Sequence, residues 1–356
     1  MRIAVSAVLL ATLLVADAAL AAPPAHRAAP GAPVAAASVA KLSPADQKRV
    51  AAIEQYQHDL VSVVALRADP LYLLGAAILA TPFKDAVPGL GFDALSTRAA
   101  AAPNASPAVE WARLGVCKDQ ADCPNAKAFA YLKQHAADNA AVWVVALDVA
   151  ARDHDTQAEQ AAFEHAAAAQ TYDDYYGRAL AGVAKATAVL PPLPDTTAGA
   201  HDGQPDNPEG VRALVAINAM GALPRPSLQP VVQLCAKAAV SAAAKRRKAC
   251  LQLAHTLQWG SSPVARAVGL HIEGDLDPDG SAQAQQASHD LAWQVQQYSA
   301  LLQHALTDPG IAARWLTAAR TGGTELSLML ATLRGNGVPT AAPAGAAPAS
   351  AASGAH

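Results

Sequence analysis

Alanine supplies 92 of the 356 residues, and this feature restricts the possible folds of the chain more than any other. Alanine has the highest intrinsic helix propensity, and its small side chain lets helix axes approach closely. Aromatic residues, which favour strands, make up only 4% of the sequence. We therefore predict an all-α fold of closely packed helices. The formal net charge of −3 carries no basic excess and argues against nucleic acid as a partner.

The starts of the predicted helices share one pattern, in which a capping residue precedes a proline at the first helical position. Five pairs have this form: Ser43-Pro44, Asp69-Pro70, Ser106-Pro107, Ser262-Pro263 and Asp308-Pro309. Alternating strand patterns do not extend beyond a few residues. These signals predict helices near 44–67, 70–80, 93–101, 107–115, 125–137, 140–152, 156–169, 173–189, 211–220, 228–240, 242–258, 263–272, 282–306, 309–320 and 325–334.

The first residues have the composition of a secretory signal peptide. A charged start at Arg2 precedes the run from Ile3 to Val15, which is too short to span a bilayer. The small residues Ala19 and Ala21 fit a peptidase cleavage site. We predict that residues 1–21 are removed and that the mature chain is periplasmic or secreted, not an integral membrane protein. A retained N-terminal membrane anchor is the alternative.

Three segments rich in alanine, proline or glycine divide the rest of the chain. Residues 22–42 are predicted to be a disordered linker and residues 338–356 a disordered tail, because neither segment can bury enough apolar surface to offset its chain entropy. Residues 190–210 contain five prolines and three glycines. This segment predicts a boundary between two helical halves, 43–189 and 211–337. A long surface loop within one domain is the alternative.

Aromatic residues recur at a constant spacing before this boundary. Trp111, Trp143 and Tyr175 are 32 residues apart, and Phe129 and Phe163 are 34 apart. Two helices per 32 to 34 residues is the spacing of a helical-hairpin array. This register predicts that the aromatic side chains, Tyr175 included, lie in the core.

The same region resembles the tetratricopeptide repeat family over about residues 70–180. The matching positions are the aromatic and small residues Trp143, Ala146, Phe163 and Ala166, and the run Leu74-Gly75-x-x-Ile78. The resemblance implies a helical-hairpin scaffold whose concave face binds a protein or peptide partner. An unrelated α-α superhelix, of the kind found in the non-catalytic part of some cell-wall enzymes, would have the same pattern.

Four cysteines in an exported chain favour disulfides over metal binding. We predict local pairing, Cys117 with Cys123 and Cys235 with Cys250, because each pair lies within one half of the chain. A metal site is the alternative, but no Cys-x-x-Cys motif or suitably spaced histidine accompanies them.

A calcium loop is suggested by Asp275, Asp277 and Asp279, which are followed by Gly280. The bidentate glutamate that should close such a loop is replaced by Gln286. The alternative is an acidic turn between two helices. Apart from calcium, we predict no cofactor.

Five residues are candidates for partner recognition. If the repeat register holds, Asp148 and Arg152 face the concave groove and can pair with each other. With Tyr175 in the core, Tyr172, Tyr176 and Arg178 are left free for recognition. These residues support a scaffold that binds a protein or peptide in the cell envelope.

Two other functions remain open at this stage. The first is a cell-envelope enzyme whose acid is one of Glu110, Glu164 or Glu325, although the common hydrolase and nucleotide-binding motifs are absent. The second is calcium-dependent adhesion through the acidic turn. The basic run at residues 245–248 is interpreted as a solvated helix face, with docking to anionic lipid as the alternative.

Overall fold

The all-α class is confirmed by the computed structural model, which describes residues 43–83, 87–117, 123–196, 207–240 and 243–344. In these ranges every regular element is a helix, and one isolated parallel bridge joins Asn139 to Thr171. The predicted signal peptide, 1–21, and the predicted linker, 22–42, lie outside the described residues. None of the described helices is long and apolar enough to cross a membrane.

In chain order the helices are α1 (Pro44–Val64), α2 (Pro70–Ala80), α3 (Phe92–Ala101), α4 (Pro107–Arg113), α5 (Ala126–His135), α6 (Ala140–Arg152), α7 (Thr156–Ala168), α8 (Tyr176–Ala186), α9 (Pro208–Met220), α10 (Gln229–Cys235), α11 (Lys237–Val240), α12 (Ala244–Gln258), α13 (Pro263–Leu276), α14 (Ser281–Ala305), α15 (Pro309–Thr321) and α16 (Glu325–Gly335). A single 3₁₀ turn spans Pro194–Thr196. The predicted helix 228–240 is interrupted at Ala236, between α10 and α11.

All five predicted proline starts begin helices. The side chains of Ser43, Asp69 and Asp308 accept hydrogen bonds from backbone N–H groups of the first turn. Ser106 and Ser262 make no such bond, yet their helices begin at the same place. Proline at the first position therefore marks the helix start even without a side-chain cap, because its φ angle is already helical and it has no N–H to satisfy.

The helices on both sides of the predicted boundary share one hydrophobic core. Its buried members extend from Tyr56 to Leu328. Helix α8 packs against α2 from the first half and against α9 and α15 from the second. The predicted halves, 43–189 and 211–337, therefore do not correspond to separate cores.

The ends of the predicted loop segments are more ordered than expected. Residues 190–196 pack on α1, where Tyr56 donates a hydrogen bond to the carbonyl of Leu190 (3.2 Å) and Arg49 donates one to that of Thr196 (3.0 Å). Residues 197–206 lie outside the described residues. In the predicted tail, residues 338–344 also pack on the fold, because side chains of α14 form hydrogen bonds with their backbone.

The regularly spaced aromatic residues do not share one environment. Trp111 is completely buried and donates a hydrogen bond to the carbonyl of Pro224 (3.1 Å). Trp143 is half-buried, and its ring stacks on His165 with 4.1 Å between centroids. Tyr175, which was predicted to lie in the core, is half-buried and precedes α8 with φ of 53°. Identical spacing thus gives one fully buried side chain and two half-buried ones.

Helices α2 and α8 cross with their backbones in contact. A Cβ atom on Gly75 would overlap the carbonyl of Gly182, and one on Gly182 would lie 2.6 Å from the carbonyl oxygen of Leu71. Only hydrogen fits at either position. The two glycines therefore set the distance between two central helices of the core.

We expect Gly75→Ala to destabilise the protein by about 1–3 kcal/mol or more, because the added methyl group forces α2 and α8 apart. The matched control is Gly335→Ala at the exposed end of α16, where a Cβ meets nothing within 4 Å. This control should be neutral or slightly stabilising, since alanine loses less chain entropy than glycine on folding. Urea unfolding followed by circular dichroism measures both changes. Equal unfolding midpoints for the two variants would contradict the proposed crossing.

Candidate functional site

An open groove lies between the C-terminal end of α7 and the facing side of α12. Its volume is about 1020 Å³. The residues that line it are Ala167, Ala168, Ala169, Gln170, Val240, Ala244, Arg247, Lys248, Leu251, Gln252, His255 and Thr256. The groove is thus built by three segments: the end of α7, the last residue of α11, and α12.

The lining of the groove combines apolar, amide and basic groups. Alanine methyl groups and Leu251 supply an apolar floor, and the side chains of Gln170 and Gln252 can donate and accept hydrogen bonds. Lys248 and His255 are exposed on one wall. No carboxylate is among the described residues that line the groove. The site therefore fits a ligand that has apolar groups and negative charge.

Polar contacts hold α7 against α12 beside the groove. Lys245 pairs with Glu164 (3.3 Å), and Arg246 donates a hydrogen bond to Gln160 (3.0 Å). Hydrogen bonds from Gln160 and Lys245 lower the pKa of Glu164. Two of the four basic residues in the run 245–248 therefore bind side chains of α7.

The other two basic residues of that run line the groove. Arg247 donates hydrogen bonds to the carbonyl of Leu276, so its guanidinium group also serves the fold. Lys248 is exposed. Of this run, Lys248 is the residue best placed to meet a ligand.

Trp259 extends the same face of α12 beyond the groove. The residues Lys248, Gln252, His255 and Trp259 follow one another at intervals of four, three and four, which places them along one side of a helix. The Trp259 side chain is 76% exposed, and its ring lies edge-on to His255 with 6.5 Å between centroids. An indole left in solvent offers a large contact area with one hydrogen-bond donor, which is typical of recognition surfaces.

Both predicted disulfides are present. Cys117 is bonded to Cys123, and Cys235 to Cys250. The second bond joins α10 to α12 near the groove wall. In the first, the carbonyl of Cys123 accepts a hydrogen bond from Arg152 (2.7 Å). The expected pair of Arg152 with Asp148 is therefore replaced by a bond to backbone.

The predicted recognition tyrosines are placed differently from expectation. Tyr172 is only 4% exposed, because the backbone of Gly260 packs against it, and a Cβ there would lie 2.9 Å from its ring. It is a core residue and not a free one. Tyr176 is half-buried, and Arg178 is exposed on α8. None of these residues, and neither Asp148 nor Arg152, lines the groove.

A second polar cluster surrounds the start of α16. Arg225 binds both carboxylate oxygens of Glu325, at 3.2 and 3.0 Å, and its guanidinium carbon lies 4.6 Å from the ring centre of Tyr176. The neighbouring Ser261 donates a hydrogen bond to the buried Asp174 (2.8 Å). Arg225 escaped the sequence analysis because its partner is 100 residues away. The one sequence feature that could have drawn attention to Arg225 is its position between Pro224 and Pro226.

The three candidate acids differ in their surroundings. Glu164 is exposed, and Glu110 accepts two hydrogen bonds from Arg113, both 3.1 Å long. Burial raises the pKa of Glu325, while Arg225 opposes the increase. Glu325 is therefore the one candidate with the raised pKa expected of a catalytic acid, but it does not line the groove.

The acidic turn does not assemble a metal site. Asp275 lies in the last turn of α13, near His271 (3.9 Å), and Asp277 follows the helix end. The backbone N–H of Asp279 donates to the Asp277 carboxylate (3.3 Å). The described residues contain no group of three or more histidine, cysteine, aspartate or glutamate side chains that could hold a metal ion. The structure therefore does not bring the three carboxylates together.

Comparison of the chain with protein-family models, with curated proteins and with solved structures found no match. The groove escaped the sequence analysis because the small residues of α7 that form its floor have no chemical signature. They become a site only when α12 packs beside them.

We expect Arg225→Met to destabilise the protein more at high pH than at low pH. Glu325 has a raised pKa in the folded state, and loss of Arg225 raises that pKa further. Glu325 in the folded variant then binds a proton more tightly than Glu325 in the unfolded chain. The stability of the variant therefore falls as the pH rises from the pKa of Glu325 in the unfolded chain to its higher pKa in the folded variant. The loss should be small near pH 4 and about 2–3 kcal/mol near pH 8, a range that allows for the 36% exposure of Arg225.

The measurement is chemical unfolding of wild type and variant across this pH range. Arg178→Met serves as the control, because Arg178 is an exposed arginine on the neighbouring helix α8. A loss of stability in Arg225→Met that is independent of pH would show that Glu325 is not the group involved.

We expect calcium at about 1 mM to shift the melting temperature by no more than about one degree, because the acidic turn lacks both a clustered ligand set and the closing glutamate. Differential scanning calorimetry with calcium, and with EDTA as the control, measures the shift. A rise of several degrees that Asp275→Ala abolishes would make the turn a calcium site after all.

Proposed function

We propose that this protein is an exported helical scaffold that binds a peptide segment of a partner protein in the cell envelope. The observation that carries the proposal is the open groove between α7 and α12, with its apolar floor, its amide and basic walls, and the exposed Trp259 at its end. Such a combination of one aromatic anchor, apolar surface and a few polar groups is typical of protein-binding sites.

The location in the periplasm or outside the cell is supported by two features. The first is the signal-like sequence of residues 1–21. The second is the pair of disulfides, which leaves no free cysteine among the described residues. Disulfides persist in oxidising compartments and are rare in the cytosol.

The shape of the site favours binding over catalysis. The groove is open, and the carboxyl group with a raised pKa, that of Glu325, lies elsewhere and accepts hydrogen bonds from Arg225 at both oxygens. A general acid must be within hydrogen-bond reach of a bound substrate. The hairpins α6–α7 and α12–α13, which pack side by side through α7 and α12, also support the proposed similarity to helical-hairpin scaffolds.

The ligand is expected to combine acidic and apolar side chains. Lys248 and Arg247 supply the positive side of the interaction, and Ala167–Ala169 the apolar side. Binding should therefore weaken as the salt concentration rises, because exposed charges are screened.

Selection of peptides from a displayed random library on the purified protein tests this proposal. Selected peptides should be acidic and apolar, and their affinity should fall at least about tenfold, equivalent to about 1.4 kcal/mol, in Ala168→Trp and in Lys248→Glu. Ala168→Trp fills the groove, and Ala158→Trp, on an exposed position of α7 outside it, is the matched control. Peptides that bind wild type and all three variants with equal affinity would rule out the groove as the site.

A further inference from the structure

The segment after α16 turns back and lies along α14. The indole N–H of Trp293 donates a hydrogen bond to the carbonyl of Pro339 (3.0 Å), and the amide of Gln294 donates one to the carbonyl of Thr340 (2.6 Å). The backbone N–H of Ala342 donates to the carboxylate of Asp290 (2.9 Å). The tail thus lies across about one turn of α14, between positions 290 and 294.

These three bonds use only the backbone of the tail. Their partners on the helix are side chains at positions 290, 293 and 294, which adjoin one another on the surface of a helix. The half-buried residues of the tail, Val338, Thr340 and Ala342, alternate with exposed ones. The hydrogen bonds from α14 therefore depend on where the backbone of a non-helical segment lies, and little on which side chains that segment carries.

The buried amide of Gln294 is only partly satisfied. Its side chain is 7% exposed, and its NH₂ group is used by Thr340. Its carbonyl oxygen Oε1 is buried and has no hydrogen-bond donor among the described residues. A buried acceptor without a donor costs free energy, so a feature of this kind requires an explanation. The tail therefore does not satisfy every polar atom of this face of α14.

Proline-containing segments suit this face of α14. Proline cannot continue a helix, so the carbonyl groups of such segments are left without intrachain partners and are free to accept hydrogen bonds. Aromatic residues with an outward N–H commonly bind them. The tail itself, Val338-Pro339-Thr340-Ala341-Ala342-Pro343, is a segment of this class.

We propose that this face of α14 is a binding site for a proline-containing, small-residue segment of another protein, and that the tail occupies the site in the free chain. The tail is held at a high effective concentration because it is tethered beside the site. An external segment must therefore displace it, and the tail acts as a competitive inhibitor. This site is separate from the groove, so neither proposal depends on the other.

Binding of a synthetic peptide to the full-length protein tests the proposal. The peptide has the sequence of residues 337–344, carries a fluorophore, and is titrated against wild type, Ala342→Pro and Ala344→Pro. Ala342→Pro removes the N–H that Asp290 accepts, whereas Ala344→Pro leaves all three bonds in place. We expect Ala342→Pro to bind the peptide up to about tenfold more tightly than the other two proteins, because its own tail competes less well.

A second substitution separates binding from a general loss of structure. Trp293→Phe in the Ala342→Pro background removes the indole N–H but keeps an aromatic ring, and it should weaken peptide binding about tenfold without changing the melting temperature. In wild type, the same substitution should accelerate hydrogen exchange at the Ala342 amide. Equal affinity of the peptide for all proteins, or no binding to Ala342→Pro, would overturn the proposal and leave the tail a purely structural element.

Discussion

Contact between the backbones of α2 and α8 is the constraint on which the core depends. Gly75 and Gly182 allow this contact, and about half of the other buried residues of the two helices are alanine. Each alanine contributes little hydrophobic free energy by itself, so such a core gains its stability from many short-range contacts between closely spaced helices. Because α8 also packs on α9 and α15, the spacing set at the two glycines is transmitted to the helices on both sides of the chain.

Polar groups at one end of α8 complement this close packing. The Arg225–Glu325 pair and the Ser261–Asp174 hydrogen bond join segments that are distant in sequence. Replacement of a buried ion pair by apolar residues is often harmless, whereas removal of one partner is costly. We therefore interpret the contribution of these polar contacts as specificity. Alanine-rich helix surfaces can pack against one another in more than one arrangement, and directional hydrogen bonds favour one of them.

Features that depend on neighbouring residues, such as helix starts, were predicted well from the sequence. Contacts between residues that are distant in the sequence were missed. Asp69-Pro70 and Asp308-Pro309 mark helix starts because capping involves only neighbouring residues. The disulfides were also predicted, since each pair of cysteines lies within one half of the chain. Tyr172 was misplaced because its burial depends on the distant Gly260, and Arg225 was missed because its partner Glu325 is also far away in the sequence. The groove had no sequence signal beyond the basic run 245–248, since the commonest of its other lining residues is alanine, the commonest residue of the chain.

The Cys235–Cys250 bond closes a loop that contains part of the groove wall. Val240 and Ala244 lie inside this loop, and α11 is only four residues long. A helix of one turn is not stable by itself, so the cross-link holds this wall in place. A copy of the chain kept in a reducing compartment would lack this constraint. Under the proposed function, oxidation after export would complete this wall of the proposed binding groove.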